Sequence, residues 1–280
     1  MAGSLRVLRV LRDSRADLVL TAVVLGWIGA VLLLDGVRGW DGAEPVRQLV
    51  LGATTWAVLI GLLRREAALV RAQTAVVVVL ATMVEYTFSP LLQAYVYRIG
   101  TVPLFVPPGH GLVYLGALAL GRSALLRAAP RVSVAVAVGV GGLWALHGLA
   151  DSGRPDMLGA FWYYCLLGFV IWGRSRLLYV GAFVVVSYLE LAGTGLGTWA
   201  WAASDPVLGV VGQGNPPSGA AGGYGWFDLY ALLLAPRLLA VASGVAARSR
   251  SALEGAKHLL VQLTVGRHRA AAERTVDAVE

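Results

Sequence analysis

The sequence predicts an all-α polytopic membrane protein, and three observations carry that prediction. The chain is 58% hydrophobic and only 14% charged, where a soluble chain carries about a quarter charged residues. Mean hydropathy is +0.71, and apolar runs long enough to cross a bilayer recur along its 280 residues. The basic residues are nearly all arginines gathered in short connections, which is how membrane topology is encoded. The net charge of +7 therefore speaks for orientation and against nucleic-acid binding. A lone Cys165 excludes an intrachain disulfide and a cysteine metal cluster.

Eight spans of about 17–25 residues fit the pattern. They run from about Asp17 to Leu34, Val46 to Leu63, Ala72 to Leu92, Pro103 to Leu120, Val132 to Leu149, Met157 to Trp172, Leu177 to Leu196 and Tyr224 to Val245. Residues 1–16 form a basic flank with Arg6, Arg9, Arg12 and Arg15. The apolar run behind them is too long for a cleaved signal and reads as a retained first span. Leu5, Leu8 and Leu11 give this flank the spacing of a short surface-lying helix, beside its simpler role in fixing topology. The sixth span is short and rich in aromatics, from Phe161 to Tyr164, which suits an interfacial belt.

Arginines then set the orientation. Arg64, Arg65 and Arg71 lie in the second connection, Arg122, Arg127 and Arg131 in the fourth, Arg174 and Arg176 in the sixth. The alternate connections hold Arg38, Arg47, Arg98 and Arg154, diluted by Asp35, Asp41, Glu44, Asp151, Asp156 and Asp205. Both termini are thus expected in the cytoplasm. The Ala/Val/Gly/Leu/Arg bias suits a GC-rich bacterial genome, so the expected location is the bacterial cytoplasmic membrane. Residues 17–245 form the transmembrane domain and 246–280 a cytoplasmic tail. The tail stretch Leu253–Leu263 has an apolar face at helical spacing. It reads either as an amphipathic helix meeting lipid or a cytoplasmic partner, or as a solvated segment.

Residues 17–122 and 132–245 can be laid over one another as a parallel 4+4 repeat. Asp35 echoes Asp151, Arg64-Arg65 echoes Arg174 and Arg176, Glu85 echoes Glu190, Tyr95 and Tyr97 echo Trp199 and Trp201, and Pro107-Pro108 echoes Pro216-Pro217. The alternative is chance alignment of helices with similar composition.

Glu85 and Glu190 carry the functional reading. A charge inside an apolar run is expensive, so each is either a hydrogen bond locking helices together or part of a site. With this topology both lie in the outer half of outward-running helices. His110, Tyr114 and Asp228 enter on helices descending from the same side. Carboxyl groups so placed can act as general acid and base or as proton carriers, with Asp228 or His110 assisting. Tyr95, Tyr97, Trp199 and Trp201 are either ligand contacts or interface anchors. Arg237, after Pro236 and deep in the last span, either finds a carboxylate or reaches toward the inner surface. His147 and Asp151 share a helix face, but two groups do not make a metal site. No phosphate-loop, nucleophile-elbow or zincin motif is present, and no cofactor is implied. The long connection 202–223 is external, with a Gly-rich run from Gly219 to Gly225 that lacks phosphate-loop context.

The run Glu85…Tyr95-Val96-Tyr97…Val102-Pro103 resembles the bacterial and archaeal membrane-embedded carotenoid hydratases. Their members carry an intramembrane Glu, a Gly-x-Tyr-x-Tyr segment and a Val-Pro. The resemblance covers a short part of the chain, and Gln93-Ala94 stands where that pattern has its Gly. The chain also resembles actinobacterial multi-span membrane proteins, a likeness that implies no activity. The hydratase resemblance implies water addition to a C=C bond. Three functions follow: an intramembrane enzyme on a lipid or isoprenoid, a proton-coupled small-molecule carrier, or a non-catalytic scaffold whose tail recruits a cytoplasmic partner.

Overall fold

A computed structural model describes residues 2–36, 43–151, 153–173, 175–207 and 209–245, with side chains from residue 14 onward. The amphipathic tail stretch and the flanking Arg38, Asp41 and Arg174 lie outside the described residues. The chain divides into two compact units, 1–235 and 236–280.

The first three helices are α1 (Ala2–Gly36), α2 (Glu44–Leu63) and α3 (Ala68–Tyr86), the last continued by a π-helical turn over Thr87–Leu91. Strand β1 (Tyr95–Tyr97) leads to α4 (Val106–Arg122), the short α5 (Ala124–Ala128) and α6 (Pro130–Ala150). After α7 (Met157–Trp172) and α8 (Arg176–Gly195) come β2 (Trp199–Trp201) and α9, described over Ala220–Val245. Prolines at the first turns of α2, α4 and α6 begin these helices where a missing N–H costs nothing.

Among the described residues, seven helices are long and apolar enough to cross a membrane. The remaining expected span is α7, only 16 residues long. At 1.5 Å per residue it reaches about 24 Å, short of the roughly 30 Å hydrocarbon core. The last helix begins at Ala220, earlier than Tyr224, because its glycines dock it on α7. A Cβ at Gly222 would collide with the Trp162 carbonyl. The Gly-rich run is thus a helix-packing surface, in the manner of small residues between membrane helices.

α4 sits at the centre, packed on α1, α3 and α8. Leu112, Leu115, Val185 and Val186 are fully enclosed there. At its C-terminal end Arg122 makes a two-pronged bond to Glu66 (3.0 and 2.8 Å) and reaches Asp17 at 2.9 Å, tying three elements together. At the opposite end of the bundle, buried Asp35 accepts from Gln48 (2.6 Å) and Arg98 (3.1 Å). Burial works against the Arg98 charge, but the Glu44 and Asp35 carboxylates outweigh it and hold its pKa above the ordinary arginine value.

The non-helical backbone forms one antiparallel ribbon, Tyr95↔Trp201, Val96↔Ala200, Tyr97↔Trp199. Its ladder is extended by Arg98 N–H to Thr198 O (2.8 Å) and Ala202 N–H to Ala94 O (3.0 Å). Each strand is entered two residues earlier through a left-handed residue, Gln93 (φ 56°) and Gly197 (φ 71°). Gly197 adopts this freely, whereas Gln93 bears steric strain. Gln93 is exposed, so Gln93→Gly is expected to raise stability by about 0.5–1 kcal/mol. The check is the melting temperature in detergent, expected to rise by about 1–4 °C; a fall would show that the turn is unstrained.

Candidate functional site

Side chains alternate along a strand, so aromatics two apart share a face. Tyr95, Tyr97, Trp199 and Trp201 accordingly turn toward the bundle, while Val96 and Ala200 turn outward. Across the ribbon Tyr95 packs on Trp201 with centroids 4.6 Å apart, and Tyr97 on Trp199 at 6.0 Å.

These four rings deliver donors to two carboxyl groups. Glu85, 5% exposed, lies near the end of α3. Its Oε2 accepts from Tyr95 Oη (2.9 Å) and Tyr97 Oη (2.7 Å). His110 Nε2 lies 2.7 Å from Oε1. Glu190 on α8, 2% exposed, accepts at Oε2 from the indole N–H groups of Trp199 and Trp201, both 3.1 Å away. Tyr224 on α9 lines the same cavity as this carboxyl. The His110 ring stacks on Tyr224 at 5.2 Å, bridging the two carboxyl settings. From Glu85 to Gln93 the path is one residue longer than from Glu190 to Gly197. The π-helical turn lies on that longer path, and such a turn takes up an extra residue.

Glu85, Glu190, His110 and the four ribbon aromatics line one cavity of about 430 Å³. That volume is typical of a small-molecule site. Trp27, Phe88, Phe105, Trp162, Trp226 and Phe227 complete a mostly apolar wall. Comparison with protein-family models, curated proteins and solved structures gave no match to this chain.

The remaining site residues expected from the sequence are not on this wall. Tyr114 and Asp228 are buried one helical turn beyond His110 and Tyr224, with Tyr114 Oη and Asp228 Oδ2 unbonded among the described residues. Arg237 is exposed and belongs to the 236–280 unit. Among the described residues there is no cluster of three or more potential metal ligands.

Two residues that the sequence offered only as charges in the connections hold the segment after β2. Asp156 caps α7 through Gly159 N–H (2.9 Å) and also accepts from Gly214 N–H (2.8 Å) and Ser218 N–H (2.6 Å). Arg154 donates to the carbonyls of Gln213 (2.7 Å), Trp201 (2.7 Å) and Ala202 (2.9 Å). An aspartate immediately before an apolar run is an N-cap signal; the carbonyl-binding arginine left none.

Burial, and after it the Glu85 charge, pushes the Tyr95 and Tyr97 phenols far above the ordinary tyrosine range. Both stay protonated and keep donating to Glu85. A phenol with a raised folded pKa contributes stability that is complete below the unfolded value near 10 and lost as pH climbs above it. In an ultraviolet phenolate titration, replacing both by Phe is expected to leave the reversible signal unchanged up to about pH 11. A smaller signal in the double variant would place these phenols in contact with solvent.

Proposed function

We propose that this chain is an integral membrane enzyme that adds water across a carbon–carbon double bond of an apolar isoprenoid. The observation that carries the reading is that Glu85 and Glu190 open onto one cavity whose walls are otherwise mostly aromatic and apolar. An apolar chain fits such walls, and two carboxyl groups supply the acid and base that hydration needs.

The step balances as follows. The Glu190 carboxyl gives its proton to one alkene carbon, whose π electrons form the new C–H bond and leave a cation on the adjacent carbon. A water oxygen attacks that carbon, and the proton it sheds passes to Glu85, leaving an alcohol. Glu85 takes the acceptor role because Tyr95, Tyr97 and His110 hold it in place. The indole and phenol faces steady the cation through their ring quadrupoles. Proton exchange between the two carboxyl groups through water in the cavity resets the pair.

The membrane placement belongs to the same reading. With α7 counted as a crossing there are eight, both termini lie in the cytoplasm of a bacterial cell, and the cavity opens near the outer face. On α4, His110 and Arg122 are twelve residues apart, about 18 Å along the helix. The cavity and the Arg122, Arg127, Arg131 and Arg176 cluster are thus at opposite ends, which suits arginines facing inward. Duplication of a four-span unit accounts for the paired cassettes: each has an acidic residue, a left-handed entry and an aromatic-x-aromatic strand. Strands related by a two-fold axis pair first aromatic with second, which is the observed register.

Lipid extracts test the activity without assuming the substrate. Cells producing the protein are expected to contain an isoprenoid one water heavier than its precursor. Glu85→Gln and Glu190→Gln should each cut that product by roughly a hundredfold. An unchanged lipid profile removes the enzymatic reading, and solute uptake into proteoliposomes abolished by Glu85→Gln puts a carrier in its place.

A further inference from the structure

Gln213 lies in the connection between β2 and α9, and is fully enclosed at 0% exposure. Its backbone is fixed: the N–H donates to Ala203 O at 3.0 Å, and the carbonyl accepts from Arg154 Nε at 2.7 Å. The residue is on the wall of the carboxylate cavity, and both its amide atoms, Oε1 and Nε2, are buried without a hydrogen-bond partner among the described residues. His110 Nδ1, on the same cavity wall, is buried and unbonded as well.

A buried amide with neither its donor nor its acceptor engaged is costly and rare in folded proteins. One held by a clamped backbone, in a residue on a cavity wall, points to a ligand group that completes it. A hydrocarbon offers neither half of that bond. A carboxylate only accepts and an ammonium only donates. A hydroxyl does both, and so does water.

We infer that Gln213 binds the oxygen of a hydroxyl group in this cavity, receiving its O–H at Oε1 and donating to it from Nε2. The inference rests on the hydration reading and deepens it. The oxygen held is that of the incoming water before the reaction and of the product alcohol after it. The ligand is then an apolar isoprenoid whose hydroxylated end points at the β2–α9 connection, with the carboxyl groups flanking the carbon that bears it. Arg154 acts through Gln213, by fixing the carbonyl of the residue that holds the oxygen.

The test uses full-length protein in detergent micelles and three probes: a diterpenoid tertiary alcohol, its methyl ether and the matching hydrocarbon. Quenching or shift of tryptophan fluorescence reports binding, because Trp162, Trp199 and Trp201 line the cavity. The alcohol is expected to bind wild-type protein roughly tenfold more tightly than the hydrocarbon, with the ether between them. Gln213→Met keeps the side-chain length and removes both polar atoms, and should bring the alcohol down to the hydrocarbon's affinity. Equal binding of alcohol and hydrocarbon to wild-type protein overturns the inference and needs no variant to fold. A preference that survives in Gln213→Met also overturns it. Should no probe bind at all, the isoprenoid reading of the cavity fails and this inference with it, an outcome distinct from binding without preference.

Discussion

A carboxyl group enclosed by apolar helices has to be met by donors, and meeting two of them shapes one whole end of this protein. Helix backbones spend their N–H groups internally, so the donors must come from side chains brought in by other segments. The ribbon does this with little chain. Alternate residues of a strand share a face, so aromatic-x-aromatic puts two donors on one carboxyl from one strand. Tyr95 and Tyr97 serve Glu85, and Trp199 and Trp201 serve Glu190. The ribbon satisfies its own backbone by pairing with itself and by the Asn215 Oδ1 bond to Trp201 N–H at 3.0 Å. Non-helical backbone at this position is tolerated because it is paired and lines a cavity.

Each further feature of that end follows from holding the ribbon in place. The left-handed residues at Gln93 and Gly197 turn the chain from helix end to strand. Arg154 secures the exit of β2 by its carbonyls, and Asp156 pins the following loop by three backbone N–H groups. The loop in turn places Gln213 on the cavity wall. The opposite end is held differently, by the Arg122–Glu66–Asp17 ion network.

The helices were legible because hydropathy and length mark long apolar segments directly, and the expected limits of α2, α6, α7 and α8 lie within about two residues of those observed. Glu85, Glu190, His110 and the four ribbon aromatics were legible as unusual residues in apolar runs, and they converge on one cavity. Less accessible was how they converge. Two three-residue strands a hundred residues apart carry no local signal of pairing, since each is stable only against the other. Gln213 is an ordinary polar residue in a loop, made significant by enclosure that no sequence pattern announces. The Gly-rich run after it marked close helix approach, while Tyr114, Asp228 and Arg237, chosen as polar groups placed by topology in apolar spans, lie off the cavity wall, because span depth alone does not say which face of a helix a side chain takes.

The central claim is that the two carboxyl groups form one unit, coupled through the ribbon and the His110–Tyr224 stack. A double-mutant cycle on unfolding stability, with Glu85→Gln, Glu190→Gln and the combined variant, tests it directly. Groups sharing a hydrogen-bonded network couple by at least about 0.5 kcal/mol, and that is the predicted result. Effects that add to within about 0.3 kcal/mol would mean two independent polar sites, and would contradict the account.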